Sequence, residues 1–294
     1  MKIRKAVIPA AGFGTRFLPQ TKAMPKEMMP VVDKPVIQYI VEDLVAAGIE
    51  QIIIVTGSSK RAIEDHFDNN YDLEETLRIS GKLEMLEEVR RISSMADFVY
   101  VRQKGPLGNG TPIVNVKHVV GNEPFYMCWG DEILVSDPPF VTQLIGTYQK
   151  YSCTILGCLE NKSEADAMKY GFAKGHEVEP GVMKLDLIDE KPGKSGRKAP
   201  SDYAQMGGIV FTPSIFGAME EAMSMLKENQ ELYYTEGVNI LMKSEVVYAK
   251  KVVGGRHYDC GDKLSYLETV VEYGLHHPEL NGDFKAYLKT LNLD

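Results

Sequence analysis

From the first residue onward, short apolar runs rich in β-branched residues alternate with amphipathic stretches. That alternation confines the chain to βαβ units built around a mostly parallel sheet. Ala6 to Pro9 reads as the first strand, Val36 to Ala47 as a helix stopped at Gly48, and Gln51 to Val55 as a strand buried on both faces. A strand-helix-strand unit of this kind closes with a right-handed crossover. Further strands are expected at Phe98 to Arg102, Phe125 to Trp129 and Cys153 to Leu159, with helices at Thr111 to Val119 and Pro139 to Tyr151. After Tyr170 the strands shorten, at Gly171 to Lys174, Val182 to Asp189 and Gln205 to Phe211. Helices at Pro213 to Leu226 and Glu236 to Ser244, a strand at Val246 to Val252 and a helical stretch from Asp262 complete the pattern. The spacing predicts an α/β fold: an open, doubly wound, mostly parallel sheet with helices on both faces and a smaller antiparallel extension. Lys191 to Ser201, rich in Lys, Gly, Pro and Ser, has no apolar period and reads as a mobile surface loop.

Composition narrows the partners. A chain of 294 residues with 44% hydrophobic content can bury a large core, and no repeat or long linker divides it. A formal charge of −8 excludes a surface that holds nucleic acid or anionic lipid by bulk electrostatics. Phosphate, if bound, must be gripped by a local site. Cys128, Cys153, Cys158 and Cys260 show no CxxC or Cys/His metal spacing and read as reduced thiols. With no signal-like apolar segment after Met1 and no spanning run, a cytoplasmic protein without a membrane partner is expected.

The segment after the first strand, PAAGFGTRFLPQTKAMPKEMMP from Pro9 to Pro30, is a phosphate-binding candidate. Ala10, Ala11, Gly12 and Gly14 let main-chain N–H groups approach an anion, and Arg16 and Lys26 can neutralise it. Ligands of open α/β sheets bind beyond the carboxyl ends of strands, where this loop falls. A lone GxG is equally compatible with an ordinary strand-helix turn. The dinucleotide fingerprint fails because Phe17 stands at its third glycine and Pro19 interrupts the helix, and no P-loop Gly-Lys-Ser/Thr is present. Asp131 ends the apolar run FYMCWGD and Asp259 occupies a second strand-to-turn position. A single strand-end aspartate is often only a cap or turn residue, but two of them without histidine company suit a hard divalent ion rather than zinc. Glu190 and Lys191 follow the alternating LDLID and, taken alone, read as a solvated ion pair. His66, His118 and His257 read as structural or surface residues. Met24, Met28, Met29, Met219, Met223 and Met225 fill core gaps or an oligomer interface, and Trp129 packs beneath the metal candidate.

Gly12-Phe13-Gly14-Thr15-Arg16 followed by Pro25-Lys26 resembles the signature of sugar-nucleotide pyrophosphorylases. The string from Lys5 to Glu27, with DKPVIQYIVEDLVAAGIEQIIIVTG at Asp33 to Gly57, is similar to the bacterial uridylyltransferase branch of that family. FVYVRQKGPLGNG at Phe98 to Gly110, EKP at Glu190 to Pro192 and YDCGDKLSYL at Tyr258 to Leu267 agree. The resemblance covers nearly the whole chain and is weaker from Lys194 to Lys251.

It implies a Rossmann-like nucleotidyltransferase sheet in one domain, with 1–160 as the nucleotide half, 161–260 as the sugar-phosphate half and 261–294 as C-terminal helices. The implied activity joins glucose 1-phosphate to the α-phosphate of UTP, releases pyrophosphate and uses Mg²⁺. Ala10, Ala11, Gly12 and Gly14 would hold nucleotide and Arg16 and Lys26 its triphosphate, while Glu27, Gln103 and Gly108 would sit near the base. Asp131 and Asp259 would hold metal; Gly171, Glu190, Lys191 and Gly207 would hold the glucosyl phosphate. A homo-oligomer, dimer or tetramer, is implied as well. The chain departs from the pattern at Glu132, where a second aspartate is usual, and at Asn109 to Pro112 in place of Leu-Gly-His-Ala. It departs again at Gln230 to Gly237, QELYYTEG. The same chemistry on dTTP or another hexose 1-phosphate, or a catalytically silent nucleotide-binding homologue, are the rival readings.

Overall fold

A computed structural model describes residues 1–161 and 164–292. The chain begins with β1 (Lys5–Pro9), a short hairpin β2 (Pro30–Val31) and β3 (Lys34–Pro35), α1 (Val36–Ala46) and β4 (Gln51–Thr56). Three charged helices follow, α2 (Arg61–His66), α3 (Tyr71–Ile79) and α4 (Leu83–Ser93), then β5 (Asp97–Arg102), α5 (Thr111–Val120) and β6 (Phe125–Met127). Next come β7 (Glu132–Val135), α6 (Phe140–Tyr151), β8 (Ile155–Glu160), β9 (Gly171–Glu179), β10 (Val182–Glu190) and β11 (Tyr203–Phe211). The last elements are α7 (Ile215–Ser224), α8 (Tyr234–Leu241), β12 (Tyr248–Lys251), β13 (Arg256–Asp259), α9 (Lys263–His276) and α10 (Asn281–Leu288).

Nine of the described strands form one mixed sheet in the order β5-β4-β1-β6-β11-β8-β12-β10-β9. Its first four strands are parallel, as the alternating pattern requires. The expectation of a mostly parallel sheet needs correction beyond that point, because β11 runs antiparallel to β6 and β8, and β10 antiparallel to β12 and β9. Parallel neighbours need a long crossover, and no α-helix stands between β8 and β11 among the described residues. Strand side chains feed two cores in turn. Ala6, Ile8, Ile52 and Ile54 pack on one face with α1 and α6, while Val7, Ile53 and Val55 pack on the other with α5, α7 and α8. Ile52 to Val55 have no exposed surface, which explains the unbroken apolar run of a strand covered on both sides.

Helix boundaries follow local chemistry. Val36, Ile37, Ile40, Val41 and Leu44 are buried on one face of α1, and Gly48 with φ +89° ends the turn, its N–H donating to Val45 O at 2.9 Å. The reading assigned nothing to α2, α3 and α4, whose buried residues are Ile63, Leu77 and Leu86, one in each. A single apolar contact per helix leaves too thin a stripe for periodicity to register. The expected loop from Lys191 carries a 3-10 turn at Pro192–Ser195.

Candidate active site

Beyond β1 the main chain keeps its course for one residue, since Ala10 N–H donates to Val55 O at 2.8 Å. Ala10 is therefore buried beneath the loop, and Ala11, Gly12 and Gly14 form the wall of a cavity of about 510 Å³. Gly14 has φ +64°, which favours glycine, and an added Cβ would stand only 3.2 Å from Lys26 Cβ, so the packing there is tight as well. Around Gly12 the nearest atom to such a Cβ is Lys26 Cε at 4.0 Å, leaving that wall open to a ligand. A 3-10 turn at Thr15–Phe17 follows instead of an α-helix. The anion-binding capacity thus lies in main-chain N–H groups, Arg16 and Lys26 rather than in a helix dipole.

The C-terminal segment roofs this loop. Arg16 Nη1 donates to Gly261 O at 3.1 Å, and Tyr266 O–H donates to Pro30 O at 2.7 Å. Phe17 meets the Tyr266 ring edge-on, with centroids 5.6 Å apart. Asp262 caps α9 by accepting from Leu264 N–H and Ser265 N–H, which fixes the direction in which Tyr266 projects.

A second, two-stranded sheet brings the two aspartates together. The expected strand through Trp129 ends at Met127, so Asp131 sits in the turn before β7 rather than at a strand end. The ladder of β7 with β13 pairs Glu132 with Asp259. Both aspartates converge on Gly261: an added Cβ there would strike Asp131 Oδ2 and stand 3.0 Å from Asp259 Oδ1. Asp259 also accepts from Gly261 N–H at 2.9 Å and from Tyr170 O–H at 3.2 Å. Lys26 forms an ion pair with Asp131. Burial opposes both charges; for Asp131 the Lys26 ammonium and Arg16 outweigh it, holding the carboxyl below its usual range. For Lys26 the Asp131 and Glu27 carboxylates outweigh burial and raise the ammonium. No group of three or more His, Cys, Asp or Glu side chains arranged for metal occurs among the described residues. Two carboxylates with room for phosphate and water oxygens nevertheless match the oxygen coordination of a hard divalent cation.

Glu27 lies on the cavity floor at 1% exposure and pairs with buried Lys60 at 2.8 Å. Burial pushes its carboxyl up, and Lys60 and Lys26 offset part of the shift. Its other oxygen, Oε1, is buried without a hydrogen-bond partner. Gln103 and Gly108 line the cavity wall.

At the opposite end Lys191 and Glu190 form a close pair, Nζ to Oε1 3.1 Å. Lys191 holds φ +43°, a left-handed conformation unusual for a residue with a Cβ. Around Gly171 an added Cβ would lie 3.3 Å from Tyr234 Oη and 3.4 Å from Glu190 Oε2. Glu190 Oε2, Gln205 Nε2 and Thr235 Oγ1 are buried without hydrogen-bond partners, while Tyr234 O–H donates to Gln205 Oε1 at 2.6 Å. Such a set of unsatisfied donors and acceptors is suited to the hydroxyls of a small polar ligand.

Thirteen of the sequence candidates therefore share one cavity: Ala11, Gly12, Gly14, Arg16, Lys26, Glu27, Gln103, Gly108, Asp131, Gly171, Glu190, Lys191 and Asp259. Ala10 and Gly207 are not among its lining residues. Gly207, expected at the sugar phosphate, sits in a bulge of β11 with φ +84°, and its N–H donates to Glu132 Oε2 at 3.0 Å. A Gly-Gly pair inside a strand signals such a bulge. Two further expectations change. Trp129 lines the cavity, its ring 5.8 Å from that of Tyr234, instead of packing beneath the site. His257 approaches Glu132 to 3.3 Å, so it belongs to the shell that holds the aspartates. Sequence reasoning missed Lys60, Tyr170, Gln205 and Tyr234, which carry no motif and are assembled only by the tertiary fold.

A glycine-rich loop with Arg16 and Lys26, two paired carboxylates and Lys191 meet in one cleft of an α/β fold, an arrangement able to hold a phosphorylated ligand, and the chain belongs to the nucleotidyl transferase family, whose model matches residues 5–274. Among its relatives is a Staphylococcus epidermidis protein named UTP-glucose-1-phosphate uridylyltransferase, 45% identical over 99% of each chain. Two solved structures are similar as well. One, titled UTP-bound UGPase from Acinetobacter baumannii, has a TM-score of 0.87 and 35% identity over 99% of this chain and 100% of that one. Another, UDP-glucose pyrophosphorylase complexed with UDP-glucose, has a TM-score of 0.80 and 38% identity over 92% of this chain and 98% of that one.

Proposed function

We propose that this chain is a UTP-glucose-1-phosphate uridylyltransferase that forms UDP-glucose and pyrophosphate. The observation that carries the reading is the meeting of Arg16, Lys26, Asp131 and Asp259 with Gly171, Glu190 and Lys191 in one cavity, in a chain 45% identical along its length to a relative of that name. Arg16, Lys26 and the main chain from Ala11 to Gly14 hold the triphosphate. Gln103 and Gly108 face the base, where an amide and a main-chain group can match the donors and acceptors of uracil. Lys191 holds the phosphate of glucose 1-phosphate, and the unsatisfied atoms of Glu190 and Gln205, both on the cavity wall, meet the sugar hydroxyls.

A phosphate oxygen of the sugar phosphate attacks the α-phosphorus of UTP, the bond to the β-phosphate breaks, and pyrophosphate leaves against Arg16 and Lys26. The attacking oxygen is already anionic at neutral pH, so no general base is required. Alignment by these residues can account for roughly 7–11 kcal/mol of the barrier, and charge neutralisation for much of the rest. Asp131 and Asp259 are the residues that would hold Mg²⁺, which when bound screens phosphate charge. Residues 1–160 serve as the nucleotide half and 161–260 as the sugar-phosphate half of one domain, with β11 inserted between β6 and β8 joining them. The chain works in the cytoplasm, a reading supported by its four free cysteines, and as a homo-oligomer, as the resemblance implies.

The decisive assay is pyrophosphate release from UTP with glucose 1-phosphate, with and without Mg²⁺, beside dTTP and other hexose 1-phosphates. No release from the named pair would sink the reading, and a preference for dTTP would replace the nucleotide. Asp131→Asn should shift the divalent-ion dependence of that rate to higher concentration; an unchanged dependence removes Asp131 from the metal site.

A further inference from the structure

The two segments that depart from the pattern the chain resembles, Asn109 to Pro112 and Gln230 to Gly237, lie against each other. Leu232 N–H donates to Leu107 O and Gly110 N–H to Leu232 O, each at 2.8 Å. Tyr234 N–H donates to Asn109 Oδ1 at 3.0 Å, so the side chain of one segment fixes the main chain of the other. Contact is close enough that an added Cβ on Gly108, which has φ +120°, would overlap Leu232 O. The loop that carries Gln103 and Gly108 is thereby stitched to the segment beside the sugar end of the cavity.

That segment presents Tyr233. Lys191 Nζ stands 4.8 Å from the centroid of the Tyr233 ring, while Tyr233 O–H donates to Glu231 Oε2 at 2.6 Å and its N–H to Glu236 Oε2 at 3.2 Å. The ammonium thus rests between an aromatic face and Glu190. Its backbone is held in the left-handed region, with Lys191 N–H donating to Tyr170 O at 3.1 Å. A carboxylate alone would draw the ammonium to itself; the ring attracts it without a competing full charge and leaves its remaining donors free for an incoming anion.

We propose that Tyr233 and Asn109 are positioning residues for Lys191. Tyr233 supplies the face on which the ammonium sits, and Asn109 sets the plane of that face through the main chain of Tyr234. The proposal rests on Lys191 as the partner of the sugar phosphate, and it links the nucleotide-side loop to the cation at the sugar end.

Trp129 is the chain's single tryptophan and lines the cavity 5.8 Å from Tyr234, so its fluorescence reports ligand binding whether or not turnover occurs. The test titrates glucose 1-phosphate into the full chain and into Tyr233→Phe, Tyr233→Leu, Asn109→Ala and the Asn109→Ala/Tyr233→Leu double variant. Pyrophosphate release gives KM for each substrate and kcat in parallel. Tyr233→Leu should weaken glucose 1-phosphate binding roughly three- to thirty-fold, the range a partly desolvated cation-ring contact supplies. Tyr233→Phe should keep the original affinity, because the ring remains. Asn109→Ala should weaken the same ligand while leaving UTP binding within about twofold, and the double variant should be no weaker than Tyr233→Leu alone. Unaltered binding by Tyr233→Leu, an equal loss in Tyr233→Phe, or multiplying losses in the double variant would overturn the proposal, as would no binding of glucose 1-phosphate by the unmodified chain. Titrations that follow the expected series without pyrophosphate release from UTP would instead sink the proposed reaction and leave the positioning role standing.

Discussion

Lys191 combines a left-handed backbone with an ammonium that touches both the Glu190 carboxylate and the face of Tyr233. Strain of this kind persists only where the surroundings enforce it. Lys191→Ala should lower kcat/KM for glucose 1-phosphate by roughly ten- to a hundredfold, the scale of one charged hydrogen bond, while the thermal midpoint moves little. Turnover near that of the unmodified chain would remove Lys191 from the reaction. The Lys60–Glu27 pair makes the opposite case: both partners are buried, and although the resemblance singles out Glu27, nothing in the sequence separates Lys60 from an ordinary surface charge. Removing one partner of a buried pair typically costs about 3–5 kcal/mol. Lys60→Met should therefore lower the thermal midpoint by roughly 6–20 °C, and a midpoint within a degree or two would show that Glu27 does not need its counter-ion. Arg16, Lys26 and Asp131 were legible because a glycine loop after a strand and an acid after an apolar run have local signatures. Lys60 has none.

Elements were legible in proportion to how much apolar surface each buries. β1, α1 and β4 appear within a residue or two of their expected ends, because both faces or one broad stripe are covered. β7 and β13 went unread as a pair; each of these four-residue strands is exposed or half-buried at three of its positions, and each lies more than a hundred residues from its partner in sequence. Yet this pairing, rather than a strand end, brings Asp131 to Asp259. The cap of α9 was partly legible, since the last helical stretch was expected from Asp262. Asp262→Ala removes acceptors for two N–H groups and should cost about 1 kcal/mol, seen as a fall of about 2–3 °C in the thermal midpoint. A fall in affinity for UTP should accompany it if α9 holds Tyr266 over the loop, and unchanged affinity would separate cap from roof.

For the whole molecule, the alternating pattern conveyed the parallel half of the sheet and its two-sided core. It conveyed an antiparallel extension but not its size or the insertion of β11 between β6 and β8, because pairing across β11 depends on connections that local periodicity does not encode. The thiols offer a test of packing throughout the molecule. Burial pushes Cys158 and Cys260 up to about 12 and Cys153 up to about 11, and raises Cys128 as well. An alkylating reagent near pH 8 should label none of the four at the rate of a free thiol, and all four after denaturation. Rapid labelling of Cys128 or Cys158 in the native protein would contradict the core described above.

The roof that α9 places on the first loop has a consequence for biosynthesis. Arg16 finds its carbonyl 245 positions downstream, and the Tyr266 hydroxyl reaches back 236 positions to Pro30. On the ribosome this early part of the cleft must wait, uncovered, until the segment around Gly261 and Tyr266 emerges. A fragment ending before Gly261 would carry the glycine loop without the lid that shapes it, and under the proposed function it should lose affinity for UTP.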